Sequence, residues 1–178
     1  MHISYTDVMI AAVDVHYRYD GFATAAAVVF SSFGDSKAYK TYIRDIPKVK
    51  SYIPGKFYKR ELPCLIAVLG MIEEEIDSVI IDGYVDLGEK PGLGRHLWRA
   101  LECKKRIIGV AKKYFKGSDP IKVLRGNSCQ PLFVTSVGIE QHVVANRITC
   151  MHGKFRLPTL LKQADSLSRS GKSVEPDC

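Results

Sequence analysis

The sequence predicts an α/β fold in which a mixed central β-sheet is flanked by helices. Three observations carry that prediction. β-prone apolar runs crowd the first 46 residues, helical spacing takes over from about residue 61, and short buried-strand runs then alternate with helical stretches. At 178 residues the chain is the size of one compact domain. A single domain over residues 1–169 is expected, followed by a disordered tail over 170–178 where periodicity is lost.

The elements follow in order. Residues 8–14 (VMIAAVD), 22–30 (FATAAAVVF) and 38–46 (AYKTYIRDI) read as strands, separated by turn-forming clusters at Tyr19-Asp20-Gly21 and Ser31 to Ser36. Three consecutive antiparallel strands fit best. From Glu61 to Glu75, Leu62, Leu65, Ile66, Leu69 and Ile72 repeat at helical spacing, and Pro63 is tolerable only in the first turn of that helix. Ser78 to Ile81 is a buried strand that ends at Asp82-Gly83, and the carboxyl end of such a strand is where open α/β sheets place their chemistry. Leu93, Leu97 and Leu101 mark a second helix, Ile107–Ala111 and Leu132–Ser136 are further buried strands, and Arg156–Ser168 is a closing amphipathic helix. An antiparallel three-strand meander followed by helices alternating with parallel strands is the order of the RNase H-like fold.

Composition narrows the function classes. Lys and Arg outnumber Asp and Glu by 26 to 19, a net charge of +7 that favours polyanion partners. No window approaches the roughly 20 uninterrupted apolar residues of a membrane span, so no membrane partner is expected. The opening MHISYTDVMIAAVDVHY lacks a basic lead, and its apolar run is broken by Asp14 and His16, so it reads as a first strand and not as a signal peptide. A cytoplasmic protein is expected, or a nuclear one in a eukaryote, acting as a monomer. The five cysteines are scattered without a CxxC pair, which points to free thiols and away from zinc.

Three carboxylates at element ends form the strongest chemical constellation: Asp14 closing the first strand, Glu61 opening the first helix and Asp82 closing the fourth strand. Hard divalent cations take oxygen ligands from converging carboxylates, and phosphodiester hydrolysis uses such cations to polarise phosphate and activate water. The arrangement requires strands one and four to be neighbours. Singly, each residue also fits a structural role, as a strand-end turn former or a helix-dipole partner. The basic stretch of Arg95, Arg99, Lys104, Lys105 and Arg106 reads as a solvated face.

The segment YIPGKFYKRELP, Tyr52 to Pro63, resembles the signature stretch of the endonuclease V family, and AAVDVHY, VIIDG, IIGVAK and FRLPTLLKQAD fall in that family's order. The resemblance spans roughly residues 8–168. It implies an endonuclease that hydrolyses the second phosphodiester bond on the 3′ side of a deaminated purine, inosine, in DNA or RNA. Asp14, Glu61 and Asp82 would hold Mg²⁺, with Mn²⁺ as a substitute, and Lys112 would stand near the scissile phosphate. Tyr52, Ile53, Pro54 and Gly55 would form a strand-separating wedge, and Gly83 and His96 would border the base site. The resemblance implies a role in DNA repair.

Two departures from the family pattern stand out. Val85 occupies the position of a second glycine after Asp82, and Ile139 follows the LFVTS strand where the family has a histidine expected near the metal. They keep two other readings open: a nucleic-acid-binding protein of the same fold with weakened turnover, and a nuclease directed to branched or flapped structures.

Overall fold

The computed structural model describes residues 8–171; the opening residues and most of the expected tail lie outside them. Strands β1 (Met9–Tyr17), β2 (Ala23–Phe30) and β3 (Lys40–Ile46) form the expected meander, β1 and β3 each pairing antiparallel with β2. Helix α1 (Tyr58–Leu69) leads to β4 (Ile76–Ile81), which pairs parallel with β1. A two-stranded ribbon, β5 (Asp86–Leu87) and β6 (Lys90–Pro91), precedes α2 (Leu93–Ala100). Then come β7 (Arg106–Ala111), β8 (Ile121–Val123), β9 (Leu132–Val137), α3 (Gln141–Cys150) and α4 (Thr159–Ser170). The main sheet runs β3-β2-β1-β4-β7-β9-β8, with β4 and β7 parallel and β9 antiparallel to β7.

Alternation along the central strands sorts their side chains into two cores. Ile10, Ala12, Ile80, Ile108 and Val110 pack with Val144 and Ile148 of α3 and Leu160 and Leu161 of α4. Ala11, Val13, Val79, Ile81 and Ile107 pack on the other face with Cys64, Leu65 and Val68 of α1 and Leu93 and Leu97 of α2. At roughly 25 cal/mol per Å² of apolar surface removed from water, these two layers supply the main driving force for the fold.

Five elements depart from expectation: α1, α4, α3, β8 and the β5–β6 ribbon. Helix α1 starts at Tyr58, with i→i−3 bonds from Lys59 to Lys56 and from Arg60 to Phe57, and it ends at Leu69 and not at Glu75. Pro63 therefore sits in the second turn, where it cannot donate to the Lys59 carbonyl. Glu73 and Glu74 are drawn instead to Lys40 and Tyr42 of β3, at 2.6 and 2.7 Å. Helix α4 begins at Thr159 after Pro158 and runs through Ser170 to a left-handed Gly171 (φ 63°), so the ordered chain extends past residue 169. Helix α3, β8 and the β5–β6 ribbon were not expected. Four cysteines, Cys64, Cys103, Cys129 and Cys150, are free thiols. Among the described residues no helix is long and apolar enough to cross a membrane.

Candidate active site

The last rung between β1 and β4 joins Val13 to Ile81. Asp14 is thus the first residue of β1 beyond its parallel neighbour. It does not close its strand, which continues to Tyr17 against β2 alone. Asp82 follows directly on β4 and Lys112 on β7. All three share the strand parity of Ala12, Ile80 and Val110, so they emerge on the α4 face, where they line one small cavity with Leu161 and Asp165. Its volume of ≈ 30 Å³ holds an ion with a water or two, and no nucleobase.

Hydrogen bonds fix the lining. Ser168 Oγ donates to Asp14 Oδ2 at 2.6 Å, and Lys112 Nζ to Asp82 Oδ2 at 2.6 Å. Asp165 accepts from Lys162 Nζ at 2.6 Å and Arg169 Nε at 3.0 Å. Burial, with the charges of Asp82 and Asp165, raises the pKa of Asp14 despite the Ser168 bond and Lys112. Desolvation works against the charge on Lys112, but its bond to Asp82 and the surrounding carboxylates outweigh it and raise its pKa. For Asp165, burial is outweighed by Lys162 and Arg169, which hold its carboxyl below the usual range.

Glu61 approaches from the opposite face, in the first turn of α1. It is 7% exposed, and burial together with the charges of Asp14 and Asp82 pushes its carboxyl up to about 8, Arg60 offsetting only part. A buried carboxylate that two others push toward neutrality is a site short of positive charge. The donor set, all hard oxygens, fits a divalent cation such as Mg²⁺ or Mn²⁺. Asp14 is bonded to Ser168 and Asp82 to Lys112, and among the described residues no group of three or more His, Cys, Asp or Glu side chains is arranged to hold a metal ion.

The wedge residues lie on the surface beside Glu61's helix. Lys56 N donates to the Ile53 carbonyl at 2.9 Å across a turn whose Gly55 has φ 73°, a conformation that favours glycine, and Tyr52 and Ile53 project with about half their surface exposed. Phe57 bridges Tyr52 to Tyr17 at ring separations of 6.5 and 6.3 Å, carrying aromatic surface from the turn toward the carboxylates. Gly83 has open space above it, while its carbonyl lies against β7, where a Cβ on Gly109 would approach within 2.5 Å. His96 stacks on Tyr58 at 3.6 Å, and burial and Arg99 lower its pKa; it belongs to the α1–α2 contact. Arg95, Lys104 and Arg106 are paired with Asp86, Glu102 and Asp77, in keeping with a solvated face.

Both sequence departures have structural answers. Val85 is 1% exposed and points into the core against Gly94, its amide donating to Thr135 Oγ1 at 3.0 Å, so it adds no bulk to the cavity. Ile139 corrects an expectation. Because β9 runs antiparallel to β7, pairing Val137 with Ile107, its end lies at the opposite edge of the sheet from Lys112, and a histidine there would not reach the carboxylates. The residue that sequence reasoning missed is Asp165. Its signal was a carboxylate on the stripe of Leu161, Ala164 and Ser168, the buried face of α4.

A mixed sheet in this order, with carboxylates gathered at the ends of its central strands, defines an RNase H-like nuclease. The model of the family described as Endonuclease V matches residues 3–135. Endonuclease V of Xanthomonas oryzae pv. oryzae is 31% identical over 197 residues, covering 96% of this chain and 81% of that protein. The Bacillus subtilis endonuclease V structure superposes with a TM-score of 0.76 at 22% identity, covering 91% of this chain and 79% of that one. A Ciona intestinalis endonuclease V, solved in complex with a DNA containing an inosine followed by a ribo-adenosine, gives 0.75 at 19% identity over 95% and 86%. The chain belongs to the endonuclease V family, whose members are phosphodiester hydrolases and generally metal-dependent.

Proposed function

We propose that this chain is a metal-dependent endonuclease that hydrolyses a phosphodiester bond 3′ to inosine in DNA or RNA, using Mg²⁺ or, in its place, Mn²⁺. The observation that carries the reading is the convergence of Asp14, Asp82 and Lys112 on one ion-sized cavity, with Glu61 electrostatically coupled to it from the other face. Asp14, Glu61 and Asp82 would hold the cation, which when bound polarises the phosphate and activates water. Glu61 keeps a proton near neutral pH in the absence of a cation, so ion binding is favoured by raising the pH. Lys112, its pKa raised by its bond to Asp82 and by the neighbouring carboxylates, supplies positive charge to the reacting phosphate. Asp165, already paired with two cations, helps hold Lys112 in place by charge. The exposed Tyr52-Ile53-Pro54 turn offers apolar surface to replace stacking lost when a base is extruded, a cost least for a mispaired base, and Gly83 borders the space the base would enter. The inosine preference draws on the Ciona relative's complex.

The test is nicking of matched single strands of DNA and RNA, with and without one inosine, by wild type and Asp82→Ala in Mg²⁺ or Mn²⁺. Cleavage 3′ of inosine by wild type alone is expected. Equal cleavage of undamaged branched strands would replace the lesion preference with a structure preference, and binding without cleavage in either metal would sink the mechanism.

A further inference from the structure

A second depression adjoins the candidate site. It has a volume of ≈ 760 Å³, within the roughly 300–1,000 Å³ of sites that take organic ligands, and is walled by Gly126–Ser128 and Lys154–Leu157. Leu157 also lines the ion-sized cavity, so the two are neighbours. Phe155 stands in this groove 70% exposed, with Lys154 Nζ 5.6 Å from its ring centre.

The loop presenting Phe155 is built, not incidental. Arg125, 5% exposed, pairs with no carboxylate among the described residues; its guanidinium donates to the carbonyls of Thr149, Met151, Gly153, Phe155 and Arg156. Gly126 (φ 58°) lets the neighbouring loop pass so close that a Cβ would come within 2.1 Å of the Lys154 carbonyl. Arg156 in turn donates to the carbonyls of Pro131, at 2.7 Å, and Lys112, so the groove is tied to the strand end that carries the candidate lysine. Residues 120–131 and 151–164 contain Lys122, Arg125, Lys154, Arg156 and Lys162; of these Lys162 pairs with Asp165, and Arg125 and Arg156 bond backbone carbonyls, so Lys154 is the cation placed beside the Phe155 ring.

We infer that this groove binds an unpaired nucleotide flanking the scissile phosphate, with its base stacked on Phe155 and its phosphate held by Lys154. An exposed aromatic on a loop held by Arg125, with Lys154 beside it and a phosphodiesterase centre next to it, matches the chemistry of single-stranded nucleic acid: a π-face for any base and positive charge for the backbone. The inference rests on the nuclease reading above, but it concerns binding and is measured separately from cleavage.

The experiment is fluorescence anisotropy of labelled single strands without divalent metal, with wild type, Phe155→Ala, Phe155→Trp and Lys154→Ala, over a salt series. Phe155→Ala is expected to weaken binding roughly 5- to 100-fold, as loss of one stacked base does, and Phe155→Trp to restore it. Lys154→Ala should lower the slope of log affinity against log salt by about one. Since Phe155 is exposed, loss of folding does not confuse the result. Wild-type affinity in both Phe155→Ala and Lys154→Ala overturns the inference even if nicking proceeds. If wild type binds but does not cleave while Phe155→Ala weakens binding, the groove stands and the hydrolytic mechanism falls.

Discussion

The two ends of the parallel strands β1, β4 and β7 treat charge in opposite ways. At the amino-terminal edge it is matched: Arg106 at the start of β7 meets Asp77 at 2.9 Å, and Lys40 at the start of β3 meets Glu73 at 2.6 Å. At the carboxyl-terminal edge Asp14, Asp82 and Asp165 gather around Lys112 while Glu61 faces Asp14 and Asp82 from the other side of the sheet, and both Asp14 and Glu61 have raised pKa values. Exposed pairs such as those of the first edge contribute little to stability, whereas crowded, partly buried carboxylates oppose folding. The difference teaches where the sheet keeps its function: at the edge whose electrostatics are unfavourable until a cation arrives.

Removing the carboxylates should break this contrast most strongly. Asp82→Asn, which keeps the shape and loses the charge, is expected to cut nicking of inosine strands about 1,000-fold or more, with circular dichroism unchanged. Next comes Glu61. Its folded-state pKa of about 8 lies above the ordinary 4.5, so ionisation opposes folding: the contribution of Glu61 to stability is highest below about 4.5 and falls as the pH rises toward about 8. In chelator, urea denaturation should show the stability of wild type relative to Glu61→Gln falling over that range, and at pH 8 the variant should be more stable by on the order of a few kcal/mol. Added Mn²⁺ should raise the wild-type Tm and leave that of Glu61→Gln nearly unmoved. An equal rise in both would remove Glu61 from the ion site.

Smaller effects sharpen the comparison. Ser168→Ala deletes the bond that orients Asp14 and should cost about 1–2 kcal/mol of stability and roughly tenfold in cleavage rate; unchanged activity would show that Asp14 is placed by its strand alone. Arg106→Ala, at the matched edge, should change stability by at most about 1 kcal/mol and cleavage not at all. A large activity loss there would mean the two edges are coupled.

Local pattern carried much of this protein. The apolar, β-prone runs of β1 to β3 between turn-forming clusters, the helical spacing of Leu62, Leu65 and Leu69, and the short buried runs that end at Asp82 and Lys112 are all local patterns, which a short stretch of chain expresses by itself. The Tyr52–Pro63 segment carried the family in the same way. Helix α3 went unseen because its stripe is only Val144, Ala145 and Ile148, although Glu140, whose carboxylate accepts from the amides of His142 and Val143, is a legible start. What tertiary structure alone decided was direction and company. Whether β9 returned parallel or antiparallel determined that Ile139 lies away from the carboxylates, and the docking of α4 on β1 determined that Asp165 and Ser168 lie among them. Residues 14 and 168 meet across 154 positions of chain, and such a contact is set by the burial of whole layers, which no local window of sequence contains.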